Sequence, residues 1–224
     1  MTAILTKRVR AGAAAGTVLA AALTLTACGA EDASSPAGEP LGTSSPTSSE
    51  QPRTGSTAGA SPEQVSAAKL AACPTTDLKV APVANGLPDI TLPCLGQGPD
   101  VRLAGLRGVP TIVNIWQSYC GPCAAELPML GQVARSYQRK VRFIGIDLTD
   151  QRSAALDLAA RTDMGFASVQ DPDGKTRSSL RVIGVPTTLF VRPDGTIAGR
   201  SAGQIQSTAE LTSMISQYLK VGPQ

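Results

Sequence analysis

Cys120-Gly121-Pro122-Cys123 places two thiols two residues apart, close enough to form a small disulfide ring that can open again. A β-branched and apolar run, Thr111-Ile112-Val113-Asn114-Ile115-Trp116, ends just before it. Beyond it Leu127, Leu130, Ala134 and Tyr137 recur at intervals of three and four. The first pattern predicts a buried central strand, and the second a helix with one apolar face, kinked at Pro128. The cysteines then fall at a helix N-terminus, where unpaired N–H groups and the positive end of the helix dipole favour a thiolate. Thiolate is the species that attacks a disulfide, so Cys120 is expected to be the exposed nucleophile and Cys123 the resolving thiol one turn inside. Pro122 suits the first turn, where its missing donor costs nothing.

Two other readings of the motif stay open on spacing alone. A CxxC pair is often half of a zinc site, but a structural site needs four ligands. Histidine is absent, so only Cys73 and Cys94 could complete one. A purely structural disulfide is the second reading, although so small a ring restricts the unfolded chain little. The lack of histidine also excludes His-based triads and a His general base. No metal and no cofactor beyond the Cys120–Cys123 pair is expected.

Five cysteines is an odd count. The first, Cys28, closes a segment that reads as a secretory leader over residues 1–27, with basic residues Lys7, Arg8 and Arg10 followed by an apolar run from Ala11 to Leu25. Leu25-Thr26-Ala27-Cys28 resembles the bacterial lipobox, which implies a lipid on Cys28 and cleavage just before it. A plain signal peptide and an uncleaved anchor are the alternatives. Residues 28–60 are rich in Ser, Thr, Pro, Gly and Ala, a composition that predicts a disordered tether with an r.m.s. span of roughly 30 Å. The net charge of +3 comes from the leader: without Lys7, Arg8 and Arg10 the chain has 17 basic and 17 acidic residues. That balance points to no nucleic-acid partner.

A domain over residues 61–224 must position the dithiol. Ser61-Pro62-Glu63-Gln64 has capping-box spacing and opens a helix expected to reach Ala72. Short extended pieces follow at Ile90–Pro93 and Val101–Leu103. Past the central strand come a strand at Val141–Ile146, a crossover helix at Ala154–Ala160 and a short helix after Asp171-Pro172-Asp173-Gly174. A hairpin then pairs Thr187–Val191 with Thr196–Ala198 around Arg192-Pro193-Asp194-Gly195, and a closing helix starts near Ser207. This order predicts an α/β domain with helices on both faces of one mixed sheet.

The stretch Asn114-Ile115-Trp116-Gln117-Ser118-Tyr119-Cys120-Gly121-Pro122-Cys123-Ala124-Ala125-Glu126-Leu127-Pro128 resembles the active-site segment of the TlpA/ResA family of membrane-anchored, thioredoxin-like thiol-disulfide reductases. Val101–Gly108 and Val185-Pro186-Thr187-Thr188 resemble two further family segments, with Ile115 and Tyr119 standing where the family usually has Phe and Trp. The resemblance implies a thioredoxin-like fold, a cis Pro186 beside the dithiol, and main-chain hydrogen bonds from Val185 to a bound client. It also implies a proton-shuttling role for Glu126, whose alternative is a surface carboxylate near a helix N-terminus. Asp147 and Asp150 are weaker candidates, and for Pro186 the alternative is an ordinary strand-initiating proline.

Cys73 and Cys94 remain once the lipid and the dithiol are assigned. In an oxidising compartment they are expected to form a structural disulfide, the alternative being a second redox pair. The resemblance implies a protein on the outer face of the cell membrane that reduces disulfides of client proteins such as apocytochrome c, with electrons from a membrane thiol carrier of the CcdA type. An oxidase or isomerase for secreted proteins is the runner-up, and a non-catalytic binding lipoprotein the alternative of another class. A copper carrier of related fold would need a distal His. A peroxiredoxin would place Thr and Pro ahead of its cysteine, where this chain has Ser118-Tyr119.

Overall fold

The structure, a computed structural model, describes residues 59–222. The leader, Cys28 and nearly all of the tether lie outside the described residues. Among the described residues no helix is long and apolar enough to cross a membrane.

The scaffold is a five-stranded mixed sheet built around β3 (Thr111–Trp116), with β1 (Thr91–Leu92) and β2 (Val101–Arg102) forming a separate small antiparallel pair. Beyond β3 the chain forms α2 (Gly121–Tyr137), β4 (Arg142–Leu148), α3 (Arg152–Thr162), β5 (Ala167–Asp171), α4 (Lys175–Ser179), β6 (Thr187–Val191), β7 (Ile197–Ala202) and α5 (Thr208–Leu219). In space the strands run β5-β4-β3-β6-β7, with β3, β4 and β5 parallel and β6 and β7 antiparallel to their neighbours. All six residues of β3 are buried, as an apolar strand covered on both faces should be.

Alternation along β3 divides the core. Ile112 and Trp116 point into a cluster with Leu127 and Leu130 of α2, Leu156 of α3 and Leu211 and Ile215 of α5. Val113 and Ile115 point the other way, against Leu87, Leu103, Leu106, Leu180 and Val182. The long helices therefore share one face. The opposite face carries the short α4, a 3-10 turn at Leu103–Gly105 and the chain that precedes β3.

Three differences from the sequence expectations have clear causes. The first helix, α1 (Pro62–Ala67), has the anticipated capping box but ends five residues early. Lys69 turns left-handed at φ 48°, and Ala71 leaves the helix to donate to the Gly165 carbonyl at 3.2 Å. Strand β5 was not foreseen, because Ala-Ser-Val-Gln-Asp offers one β-branched apolar residue in five. Its strand character comes from its neighbours: β4 pairs with it on one side, and on the other Leu95 donates to the Ser168 carbonyl at 2.8 Å while Gln170 donates to Pro93 at 2.9 Å. Element ends also shift, β4 running two residues further than expected and β7 four. α2 continues unbroken across Pro128.

Candidate active site

Cys120 is the N-cap of α2 in extended backbone (φ −89°, ψ 106°), and its Sγ accepts the Cys123 N–H at 3.1 Å. A backbone donor aimed at the sulfur, at the head of a 17-residue helix, favours negative charge there. Cys120 is half-buried, while Cys123, one turn on, is fully buried against Trp116 and Leu127. The two are joined as a disulfide with Cα atoms 5.2 Å apart. Gly121 and Pro122 lie exposed in the first helical turn.

The loop between β3 and Cys120 is tied to the loop after β4, a feature the sequence did not disclose. Gln117 Nε2 donates to the Leu148 carbonyl at 2.7 Å and to Thr149 Oγ1 at 2.9 Å. Asp150 accepts both the backbone N–H of Ser118 and its hydroxyl, the latter at 2.9 Å, and also takes the Gln151 N–H at 2.6 Å. Asp150 is thus a brace for the turn that carries Cys120. Gln117 and Ser118 gave no signal of their own; only the pairing of β3 with β4 brings them to it.

The Val185–Pro186 peptide is cis, and the Val185 carbonyl lies 3.7 Å from Cys120 Sγ. Gly203 N–H donates to the Pro186 carbonyl at 2.9 Å and the Thr187 hydroxyl to Gly184 at 2.6 Å, fixing this loop against the dithiol.

Glu126 is not the surface carboxylate that its position near a helix N-terminus allowed: it is buried on the α2 face that meets β3. One oxygen accepts Asn114 Nδ2 at 2.8 Å and the other the Ile205 N–H at 2.8 Å, while Asn114 also donates to Thr188 Oγ1 at 3.0 Å. Burial pushes its carboxyl above the usual range, and the two donors pull back. It follows Cys123 by three residues, so the two share one side of the helix.

Asp147 is the more extreme carboxyl. It is fully buried, neither oxygen has a well-aligned hydrogen bond although Asp150 and Gln170 lie beside it, and its Cα pairs with Trp116 on one side and Gln170 on the other. Burial, aided by the charge of Asp150, pushes it up to about 9. Nothing in the sequence distinguished it from a strand-end aspartate at the surface.

Cys73 and Cys94 are joined to each other across 21 residues, so the cysteines pair within each set rather than forming a four-thiolate group. Among the described residues no cluster of three or more His, Cys, Asp or Glu is placed to hold a metal ion.

A redox-capable pair opening the helix that follows the central strand, faced by a cis-proline loop, is the arrangement of thioredoxin-like thiol-disulfide oxidoreductases. Residues 83–200, just over half of the chain, match the AhpC/TSA family, and the chain belongs to it. It is 28% identical over 137 residues to the thiol:disulfide interchange protein DsbE of Pseudomonas fluorescens biotype C, covering 61% of this chain and 75% of that one. To the thiol-disulfide oxidoreductase ResA of Oceanobacillus iheyensis it is 27% identical over 125 residues, covering 54% of this chain and just under two thirds, 65%, of that one. A crystal structure of a secreted Mycobacterium tuberculosis disulfide oxidoreductase homologous to E. coli DsbE superposes with a TM-score of 0.52 at 27% identity, over 58% of this chain and 96% of that one. These relatives support the TlpA/ResA-type assignment made from the motif.

Proposed function

We propose that the protein is an extracytoplasmic reductase that uses Cys120 and Cys123 to open disulfides in client proteins, the haem-attachment cysteines of apocytochrome c among them. The observation that carries this reading is the asymmetry of the pair: a half-buried Cys120 sulfur facing a helix N–H, and a buried Cys123 behind it. In the reduced form the Cys120 thiolate attacks one sulfur of the client disulfide, releasing the other as a thiolate that takes up a proton. The Cys123 thiolate then attacks Cys120 Sγ, freeing the second client thiol. Two electrons and two protons pass to the client, and the Cys120–Cys123 bond seen here is the oxidised product. Glu126, buried three residues on from Cys123 on the same helix, would take the Cys123 proton. The Val185 main chain at the dithiol would pair with the client backbone.

Gly-Pro between the cysteines and the absence of histidine favour the reducing direction, since an intervening histidine is one route to a stabilised thiolate and an oxidising potential. Electrons would come from a membrane dithiol carrier of the CcdA type, and a lipid on Cys28 would hold the domain at the outer face of the cell membrane. Titration of the dithiol against glutathione tests the direction: a potential below about −220 mV is expected, and one above about −150 mV makes the protein an oxidant. In cells, a Cys120→Ser/Cys123→Ser strain should lose holocytochrome c. Normal haem attachment in that strain removes apocytochrome c as the client.

A further inference from the structure

We propose that the end of the domain opposite the dithiol is a docking face for anionic phospholipid, which would hold Cys120 turned away from a membrane surface. The inference goes beyond the lipid proposed for Cys28 and does not need it. Strands β3 and β4 start at this end, with Arg142 level with Thr111, while Cys120 lies past Trp116, roughly 17 Å of strand away. Helices α2, α3 and α5 finish here. Arg135 near the end of α2 reaches Asp163 just after α3, and Tyr218 of α5 packs on Phe190, next to the last residue of β6.

The charge of the domain is unevenly spread. Arg135, Arg139, Lys140, Arg142, Arg161 and Lys220 fall on these helix ends and on the turn from α2 into β4, where Asp163 is the one carboxylate among the described residues. Residues 117–125, around the dithiol, carry no charge. A helix C-terminus favours nearby cations, which accounts for those on α2, α3 and α5 but not for Arg142, inside β4. Arg142 is half-buried, and burial holds its guanidinium below the ordinary arginine range. No described carboxylate pairs with it, and its one side-chain hydrogen bond goes to Thr111 Oγ1 at 3.3 Å. A guanidinium partly removed from water and left without a counter-charge is a seat for an anion, phosphate above all. It also lines a cavity of about 270 Å³ whose other walls include Val141, Phe143, Phe166 and the exposed Ala71 and Ala72. An acidic polypeptide or a simple anion would use the cations and leave that apolar hollow unfilled. A phospholipid uses both, its phosphate on Arg142 and Arg139 and its glycerol and first methylenes in the cavity.

Hydrogen exchange of the full chain on vesicles tests this, since a leader or lipid that merely retains the chain on a bilayer protects no particular face. On vesicles of equal parts phosphatidylglycerol and phosphatidylcholine, amides of 138–143 and 164–166 should slow about fivefold, and those of 118–124 should not. Pure phosphatidylcholine vesicles should give no such protection. Arg139→Glu and Arg142→Gln should each bring it close to one, with reduction of hydroxyethyl disulfide unchanged as the check on folding. Arg139 is exposed, so its variant decides the matter if Arg142→Gln unfolds. Equal protection on both kinds of vesicle, or undiminished protection in Arg139→Glu, overturns the docking face. The same protection from inorganic phosphate or poly-glutamate without vesicles also overturns it, and assigns the cations to a simple anion or an acidic polypeptide.

Discussion

The described residues close two disulfides at similar Cα separations, 5.2 Å for Cys120–Cys123 and 6.0 Å for Cys73–Cys94, in surroundings of opposite electrical sense. Cys120 Sγ has a helix N–H at 3.1 Å, nearer than the Val185 carbonyl at 3.7 Å. Cys73 Sγ faces the Ser168 carbonyl at 3.4 Å, and Cys94 Sγ the Gln97 carbonyl at 3.2 Å. An N–H stabilises a departing thiolate; carbonyl oxygens oppose one. Access differs in the same sense, since Cys73 and Cys94 are both buried while Cys120 is half-open. Their mechanical value runs the other way. Cys73–Cys94 pins the segment that pairs with the outer edge of β5, where Cys73 N–H also donates to Gln97 at 2.8 Å. Gly98 crosses it so closely, at φ 120°, that a side chain would run into the Cys73 backbone. The lesson is that one covalent bond serves as a reagent or a staple according to the dipoles and the cover around it.

The largest effect that could break this contrast is on turnover. Cys120→Ser should abolish client disulfide reduction, a loss of at least about a thousandfold, and Cys123→Ser should accumulate a mixed disulfide between Cys120 and the client, visible by mass spectrometry. Cys73→Ser/Cys94→Ser should leave turnover in place but lower unfolding stability by about 3 kcal/mol, the value for a loop of this length, measured by urea denaturation. Turnover lost with the second pair would make it a relay rather than a staple.

The difference between these regions was only partly written in the sequence. The dithiol, the strand before it and the helix after it are local patterns, and each stood clear in the residue types around Cys120. The cis Val185–Pro186 bond lies 65 positions from Cys120 and came from family resemblance, not from any periodicity. Strand β5 escaped because its extended form depends on β4 and on the Pro93–Leu95 segment, which lie far from it in sequence. Glu126 and Asp147 were visible as residues but not as buried ones. Their burial depends on helix and sheet faces closing over them, and a surface carboxylate at either position would have the same sequence.

Asp147 makes the active-site end of the sheet sensitive to pH in a way that the Cys73–Cys94 strap is not. Its carboxyl is raised from 3.8 to about 9, so the folded chain keeps a proton that the unfolded chain releases. The stability this adds is complete below about pH 4 and is lost as pH rises through 9, with a slope of up to about 1.4 kcal/mol per pH unit. Asp147→Asn, neutral throughout, should remove that slope. Urea midpoints of the two proteins should draw apart from pH 5 to pH 8 in favour of the variant, and parallel curves would mean that Asp147 is already ionised in the folded state.

The smallest effect concerns what holds the reagent in place where no covalent staple does. Asp150 grips Ser118 through its N–H and hydroxyl, and the turn carrying Cys120 is otherwise tied to the β4–α3 loop chiefly by Gln117. Asp150→Asn keeps the shape but weakens two charge-assisted bonds, a loss of about 1 kcal/mol of local order. Hydrogen exchange should then show the Ser118 amide about fivefold less protected, while the Cys73 amide, bonded to Gln97 beneath its disulfide, keeps its protection. Client reduction should slow by a similar factor and recover toward the parent rate in Asp150→Glu, because a carboxylate at that point orders the turn. Equal loosening at Ser118 and Cys73 would show that Asp150 supports the whole domain and that the two regions are not held independently.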